Sequence, residues 1–280
     1  SSDLLEVSSI IPKIEQMCIE ANYYASHSLF NTLRMAKDVE TSTLGKTILS
    51  QIIENDEIAS KDHVPMCQDT GIVVVFVEIG HELQLIGNLE AAIHEGIRRG
   101  YEKGYLRKSV VAHPLHRINT KDNTPAIIHY NFTEGDQLKI TIAPKGAGSE
   151  NVSAISMLKP SDGYEGVKRF VIDTVLKAGG NPCPPIIVGI GIGGNFEKCA
   201  LLSKQALMRE IKDQSQDEIA AKLETELLKE INELNIGPMG FGGVTTALAV
   251  KVNTYPCHIA SLPVAVNIQC HASRHLTEIF

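Results

Sequence analysis

The sequence predicts a mixed α/β (α+β) fold, with helices and mixed sheets alternating irregularly and the chemistry at strand and loop ends. Three observations lead there. Apolar residues recur near helical spacing at Leu4, Val7, Ile10, Ile11, Ile14, Met17, Cys18 and Ala21. A β-branched run, Ile72-Val73-Val74-Val75-Phe76-Val77, then marks a strand. Farther on, strands and helices follow one another without the regular βαβ series of a doubly wound sheet.

Taken in order, residues 4–35 are predicted helical, with Pro12 kinking or restarting the stretch. A second helix covers 42–57, with Thr41 or Ser42 as cap. The strand at 72–77 is followed by a helix over 89–103 that ends near Gly104. Segments 126–132 and 137–143 read as a hairpin around Glu134-Gly135-Asp136. A glycine-rich loop follows at 145–150. Residues 164–178 are predicted helical and stop at Gly179-Gly180; 186–190 is a buried strand. Helices at 196–210 and 216–234 precede strands at 244–252 and 262–268. No internal repeat or low-complexity linker is visible. The expectation is one domain over 1–280, with two subdomains dividing near 105–125, where His113, Pro114, His116 and Asn123 suggest loop.

Composition narrows the function. Hydrophobic residues make up 43% of the 280, enough for a sizeable core. Trp is absent and aromatics are 5%, so that core must be aliphatic. A net charge of −7 with no long basic run argues against nucleic acid, whose binding draws on clustered Lys and Arg. No segment reaches about 18 consecutive apolar residues, so no membrane span is expected. The first residues lack a basic stretch leading into an apolar one, and a cytoplasmic protein is expected. The six cysteines are then thiols, and no CxxC pair suggests a zinc ribbon or thioredoxin-like site.

Five segments could carry chemistry. Met66-Cys67-Gln68-Asp69-Thr70-Gly71 sets a thiol, an amide and a carboxylate at an element boundary, and reads either as a site or as a plain turn. In Asn181-Pro182-Cys183-Pro184-Pro185 the prolines restrict the backbone around a thiol, which suits a metal ligand or an ordinary buried Cys. Gly189-Ile-Gly-Ile-Gly-Gly194 formally matches the dinucleotide fingerprint G-x-G-x-x-G, but close strand–helix packing explains it better outside a βαβ series. His258 opens a strand-like segment that Cys270 closes, with His271 and Arg274 beyond; Cys257 and His258, adjacent in an extended segment, point to opposite faces. Lys145-Gly-Ala-Gly-Ser-Glu-Asn151 offers backbone amides to an anion, or is an exposed turn.

In order along residues 35–274, these segments together with Leu106-Arg-Lys-Ser-Val-Val111 resemble the class I, iron–sulfur fumarate hydratase and L-tartrate dehydratase family. The resemblance implies a [4Fe–4S] cluster on Cys67, Cys183 and Cys270, whose fourth iron lacks a protein ligand and acts as a Lewis acid. Cys18, Cys199 and Cys257 match no ligand. It implies that a small 2-hydroxy dicarboxylate is dehydrated, fumarate and malate being named first because the 145–151 loop is closer to that of fumarases. Gln68, Asp69, Arg107, Gly146 and His258 match residues beside the substrate, Asp69 as acid–base group and His258 as a second catalytic group. A bidentate arginine such as Arg107 suits a carboxylate. Single-chain members carry a further C-terminal domain, so this chain resembles their N-terminal, cluster-binding part. The resemblance therefore implies an α subunit whose active site a separate β subunit completes. A dimer of α chains, or a heterotetramer of two α and two β subunits, is expected, with a place in the tricarboxylic acid cycle. The alternatives are a tartrate or other dicarboxylate dehydratase, an NAD(P)-dependent oxidoreductase using the 189–194 glycines, and a non-catalytic metal-binding subunit.

Overall fold

The computed structural model of the chain describes residues 4–280. In chain order its elements begin with β1 (Leu4–Glu6), α1 (Ile11–Tyr23), α2 (His27–Val39), α3 (Thr43–Asp62), β2 (Ile72–Gly80), β3 (Gln84–Ile86), α4 (Leu89–Lys103), β4 (Ile127–Thr133) and β5 (Leu138–Lys145). They continue as α5 (Ala147–Glu150), β6 (Ala154–Leu158), α6 (Gly163–Ala178), β7 (Ile186–Gly194), α7 (Phe196–Ala206), α8 (Glu218–Glu233), β8 (Ala247–Cys257), β9 (Leu262–Gln269) and β10 (Leu276–Ile279). The predicted mixed α/β fold is the one that forms.

The stretch 4–35 is not one helix. Pro12 falls in the first turn of α1, where a missing N–H is tolerated, and α1 stops at Tyr23. Ser26 then starts α2, its hydroxyl accepting the Leu29 N–H at 3.1 Å. Of the two caps foreseen for α3, Ser42 serves, accepting the Gly45 N–H at 3.1 Å.

The chain forms two compact units. One takes the residues up to Ala25, Asp56–Ala147 and Arg274–Phe280; the other takes Ser26–Asn55 and Gly148–Ser273. Segment 105–125 lies inside the first unit.

In the first unit the main sheet runs β10-β5-β2-β4. β2 pairs parallel with β4 and antiparallel with β5. The predicted hairpin at 126–143 is therefore replaced by two strands flanking β2. The reason is burial: β2 is the most apolar strand of this sheet and takes its centre, with Val73, Val75 and Val77 in the core. The 134–136 turn crosses the end of β2, where a Cβ on Gly80 would stand 2.3 Å from the Gly135 carbonyl oxygen. Ile140 and Ile142 of β5, Ile14 and Met17 of α1, and Ile93 and Ile97 of α4 complete an aliphatic core.

The second unit's sheet runs β6-β9-β7-β8. β7 pairs parallel with β8 and antiparallel with β9, so the short turn 258–261 again joins two strands that flank a central one. α6 and α8 pack here as α1 and α4 do in the first unit. The order helix, central strand, helix, parallel strand, antiparallel strand thus occurs twice, as α1-β2-α4-β4-β5 and as α6-β7-α8-β8-β9. No repeat shows in the sequence because topology constrains apolar pattern, not residue identity.

The glycines at 189–194 lie within β7, not in a loop after it. A Cβ on Gly189 would stand 2.3 Å from the Ser203 carbonyl oxygen, and one on Gly191 2.0 Å from that of Cys199. Their task is close approach of α7 to the sheet, which supports the packing reading of this motif.

Candidate functional site

In the first unit, the candidate residues gather at the end of β2 where the strand begins. The loop 66–71 runs into Ile72; β5 is antiparallel and pairs Lys145 with Ile72, so Gly146 arrives at the same end. The Asp69 carboxylate is held from both sides. Its Oδ1 accepts the Gly71 N–H at 3.1 Å and its Oδ2 accepts the Ala147 N–H at 2.8 Å. Gly146 leaves this face open: a Cβ there would stand 3.0 Å from Asp69 Oδ2. Gly71 has φ +75°, and a Cβ would meet the Lys145 backbone at 2.6 Å, so no other residue fits.

Buried donors fix the carbonyls of this loop in sequence. The Asp69 carbonyl accepts Arg274 Nη1–H at 2.9 Å, the Thr70 carbonyl accepts the Tyr101 hydroxyl at 2.5 Å, and the Gly71 carbonyl accepts Asn123 Nδ2–H at 3.1 Å. Burial pushes the Tyr101 hydroxyl well above the usual range, which keeps it a neutral donor. The Thr70 hydroxyl donates to the Arg107 carbonyl at 2.9 Å, which ties Arg107, with its exposed side chain, to the loop beside Asp69. Gln68 is exposed, and Cys67 and Asp69 are half-buried. Asn22 and Tyr101, and the roles of Asn123 and Arg274, were not legible in the sequence. A buried polar residue inside a helix or loop has no local signature.

In the second unit, Cys183 precedes β7 and Cys270 follows β9, the same topological places that the 66–71 loop and Gly146 hold in the first. The two cysteine segments meet: the His271 N–H donates to the Cys183 carbonyl at 3.4 Å. Gln269 Nε2–H donates to the Cys270 sulfur at 3.4 Å. Cys183 itself sits at φ +55°, its N–H donating to the Gly180 carbonyl at 3.1 Å. A non-glycine residue held in this region is a strained backbone position of the kind found at functional sites.

The segment Gly237-Pro-Met-Gly-Phe-Gly-Gly243 braces the Cys183 loop, with the Met239 N–H donating to the Pro184 carbonyl at 2.8 Å. Its cluster of glycines was a visible turn signal whose partner was not. Glu40 anchors the end of this segment. Only 1% exposed, its carboxylate accepts the N–H groups of Thr41, Ser42, Val244 and Thr245 at 2.8, 2.9, 3.1 and 2.9 Å. Burial alone would raise its carboxyl, but these donors hold it below the ordinary range. A depressed folded-state value gives stability that is present above the unfolded-state value of 4.5 and is lost as pH falls through the folded one. Glu40→Gln is therefore expected to cost on the order of 2 kcal/mol at neutral pH. In denaturation curves the gap from wild type should close as the medium is made more acid than that unfolded-state value; a gap independent of pH would contradict this role.

His258 lies elsewhere. It opens the exposed 258–261 turn at the far end of β7, by Gly194. Nine residues of strand separate that end from Cys183, roughly 25–30 Å at about 3.3 Å per residue. There it helps line an open groove of about 560 Å³ with Asn195, Lys198, Tyr255 and Cys257. Within its own unit the structure does not bring His258 to the cysteines.

The thiols divide by environment. Cys18 and Cys199 are fully buried and their pKa values are raised by that burial, which disfavours the thiolate a metal needs. Cys67, Cys183 and Cys270 are half-buried on loops, the better setting for ligands. Among the described residues, neither unit by itself gathers three His, Cys, Asp or Glu side chains into a metal site. No helix among them is long and apolar enough to cross a membrane.

The family model described as fumarate hydratase (fumerase) matches residues 11–278. A chain of Methanocaldococcus jannaschii, named provisionally as an L(+)-tartrate dehydratase subunit alpha, is 45% identical over 277 residues, covering 96% of each chain. The L(+)-tartrate dehydratase subunits alpha of Escherichia coli and Shigella sonnei are each 33% identical over 249 residues, 88% of this chain and 82% of theirs. These matches define the chain as a hydro-lyase family subunit. The chain belongs to the class I fumarate hydratase and L(+)-tartrate dehydratase family, as an α subunit.

Proposed function

We propose that the chain is the cluster-binding α subunit of a hydro-lyase that interconverts malate and fumarate, its active site completed by a β subunit. The reading is carried by the Asp69 carboxylate, held by two backbone N–H groups and facing the open side of Gly146. Cys67, Cys183 and Cys270 are the thiolates proposed to hold a [4Fe–4S] cluster. The fit rests on their half-buried loop positions and on the N–H donor to the Cys270 sulfur, a contact that tunes such clusters. When bound, the cluster supplies a Lewis acid to the substrate hydroxyl through an iron without a protein ligand.

This chain's residues do part of the rest. Asp69 takes the proton from the carbon next to the hydroxyl-bearing one, and returns it in hydration. The Arg107 fork pairs with a substrate carboxylate and offsets charge developing there. Gln68 orients the substrate, and the missing side chain at Gly146 lets it approach the backbone. His258, a strand length from Cys183 in its own unit, is proposed to contact substrate from a second copy of the chain, as an α dimer would allow.

The similarity of the 145–151 loop to fumarases and the name of the matching family support malate and fumarate. The names of the similar α subunits support a second reading, dehydration of L-tartrate. Turnover of malate, fumarate and tartrate by the reconstituted complex with its partner subunit separates them. Activity on malate and fumarate at least tenfold above that on tartrate is expected, and the reverse order would favour the second reading.

A further inference from the structure

Arg274 is 4% exposed and lies four residues past Cys270. Its Nη1 bridges two groups of the first unit, donating to Asn22 Oδ1 at 3.0 Å and to the Asp69 carbonyl at 2.9 Å. Asn22 is itself fixed: its Nδ2–H donates to the Cys18 carbonyl at 2.9 Å, and its own carbonyl accepts the Met66 N–H at 2.9 Å. The bridge therefore links Met66, at the start of the 66–71 loop, to Asp69. The other end of the guanidinium reaches the open face, with Nη2 3.6 Å from where a Cβ on Gly146 would stand.

We infer that Arg274 is a positioning residue for the hydro-lyase reaction, setting where the Asp69 carboxylate points through the Asp69 main chain and the link to Asn22. The inference rests on the proposed role of Asp69. A charge-assisted donor to a carbonyl is stronger than a neutral one, and a planar fork holds it in a fixed direction. Rotation of Asp69 about its main chain would pull its oxygens from the Gly71 and Ala147 N–H groups. Misplacement of a reacting group by about 1 Å can cost on the order of 10²-fold in rate.

The test uses the full chain in complex with its partner subunit and with the cluster reconstituted. Arg274→Met should lower kcat per cluster on the order of 10²-fold with KM changed less than threefold, and Arg274→Lys should recover part of the loss. A second measurement needs neither cluster nor activity: hydrogen exchange of the Gly71 and Ala147 amides in the full chain should quicken in Arg274→Met and in Asn22→Ala, with melting temperatures near wild type. If Arg274→Met does not fold, Arg274→Lys and Asn22→Ala decide. Unchanged exchange at both amides overturns the inference, as does kcat per cluster within threefold of wild type. A loss carried by KM instead would make Arg274 a substrate contact and also overturn it. If the wild-type complex turns over no 2-hydroxy dicarboxylate, the proposed function fails, and the exchange arm still decides the role of Arg274.

Discussion

Serine at Cys67, Cys183 or Cys270 is expected to abolish cluster formation and hydro-lyase turnover, while serine at Cys199 should leave both intact. A hydroxyl has nearly the size of a thiol but is not a thiolate, and iron–sulfur clusters are held by thiolates. The loops should survive the change. Main-chain contacts help shape the Cys183 loop: its own N–H donates to the Gly180 carbonyl, its carbonyl accepts the His271 N–H, and the Pro184 carbonyl accepts the Met239 N–H. Loss of cluster with the fold retained is thus the expected signature, read by absorption and electron paramagnetic resonance after anaerobic reconstitution with iron and sulfide. Cys199 is the control because it is buried and already used, its Sγ–H donating to the Phe196 carbonyl at 3.3 Å. A cluster that survives any of the three substitutions, or fails in Cys199→Ser, would remove that assignment.

Asp69→Asn should lower kcat by about 10²- to 10⁴-fold, the span lost with a general acid–base group, while the cluster still assembles. Two effects act together. An amide does not accept a proton as a carboxylate does. It also has one oxygen where the site presents two N–H donors, from Gly71 and Ala147, so its NH₂ would face one of them. Asp69→Glu restores the charge but lengthens the side chain towards the open face of Gly146, and partial activity is expected. A loss under tenfold per cluster in Asp69→Asn would take Asp69 out of proton transfer.

Element types were largely legible in the sequence, and pairings were not. The β-branched run at 72–77 and the glycine stop at 179–180 identify a strand and a helix end from local chemistry. Nothing local states that β4 and β5 would part to admit β2. That outcome depends on which strand is most apolar and on the absence of a side chain at Gly80. The site divides in the same way. Resemblance drew attention to Cys67, Asp69, Cys183 and Cys270, and the structure ties Asp69 to the residue after Gly146 and the Cys183 loop to the residue after Cys270. The roles of Arg274, Asn22 and Glu40 were out of reach, because each acts through a main-chain group distant in sequence. His258 and Cys183 belong to one unit, yet lie at opposite ends of its central strand.

The placement of β10 has a consequence for biosynthesis. In neither four-stranded sheet do consecutive strands pair antiparallel (β7 and β8 pair, but in parallel), so neither sheet can start from a local hairpin. In the first unit the outer partner of β5 is β10, drawn from residues 276–279. On a ribosome, every residue of the second unit has been added before that partner exists. Until then the nascent chain carries β5 as an open edge, with apolar Ile140 and Ile142 beside unpaired N–H and C=O groups, the kind of surface that chaperones shield and that misassembles when they do not.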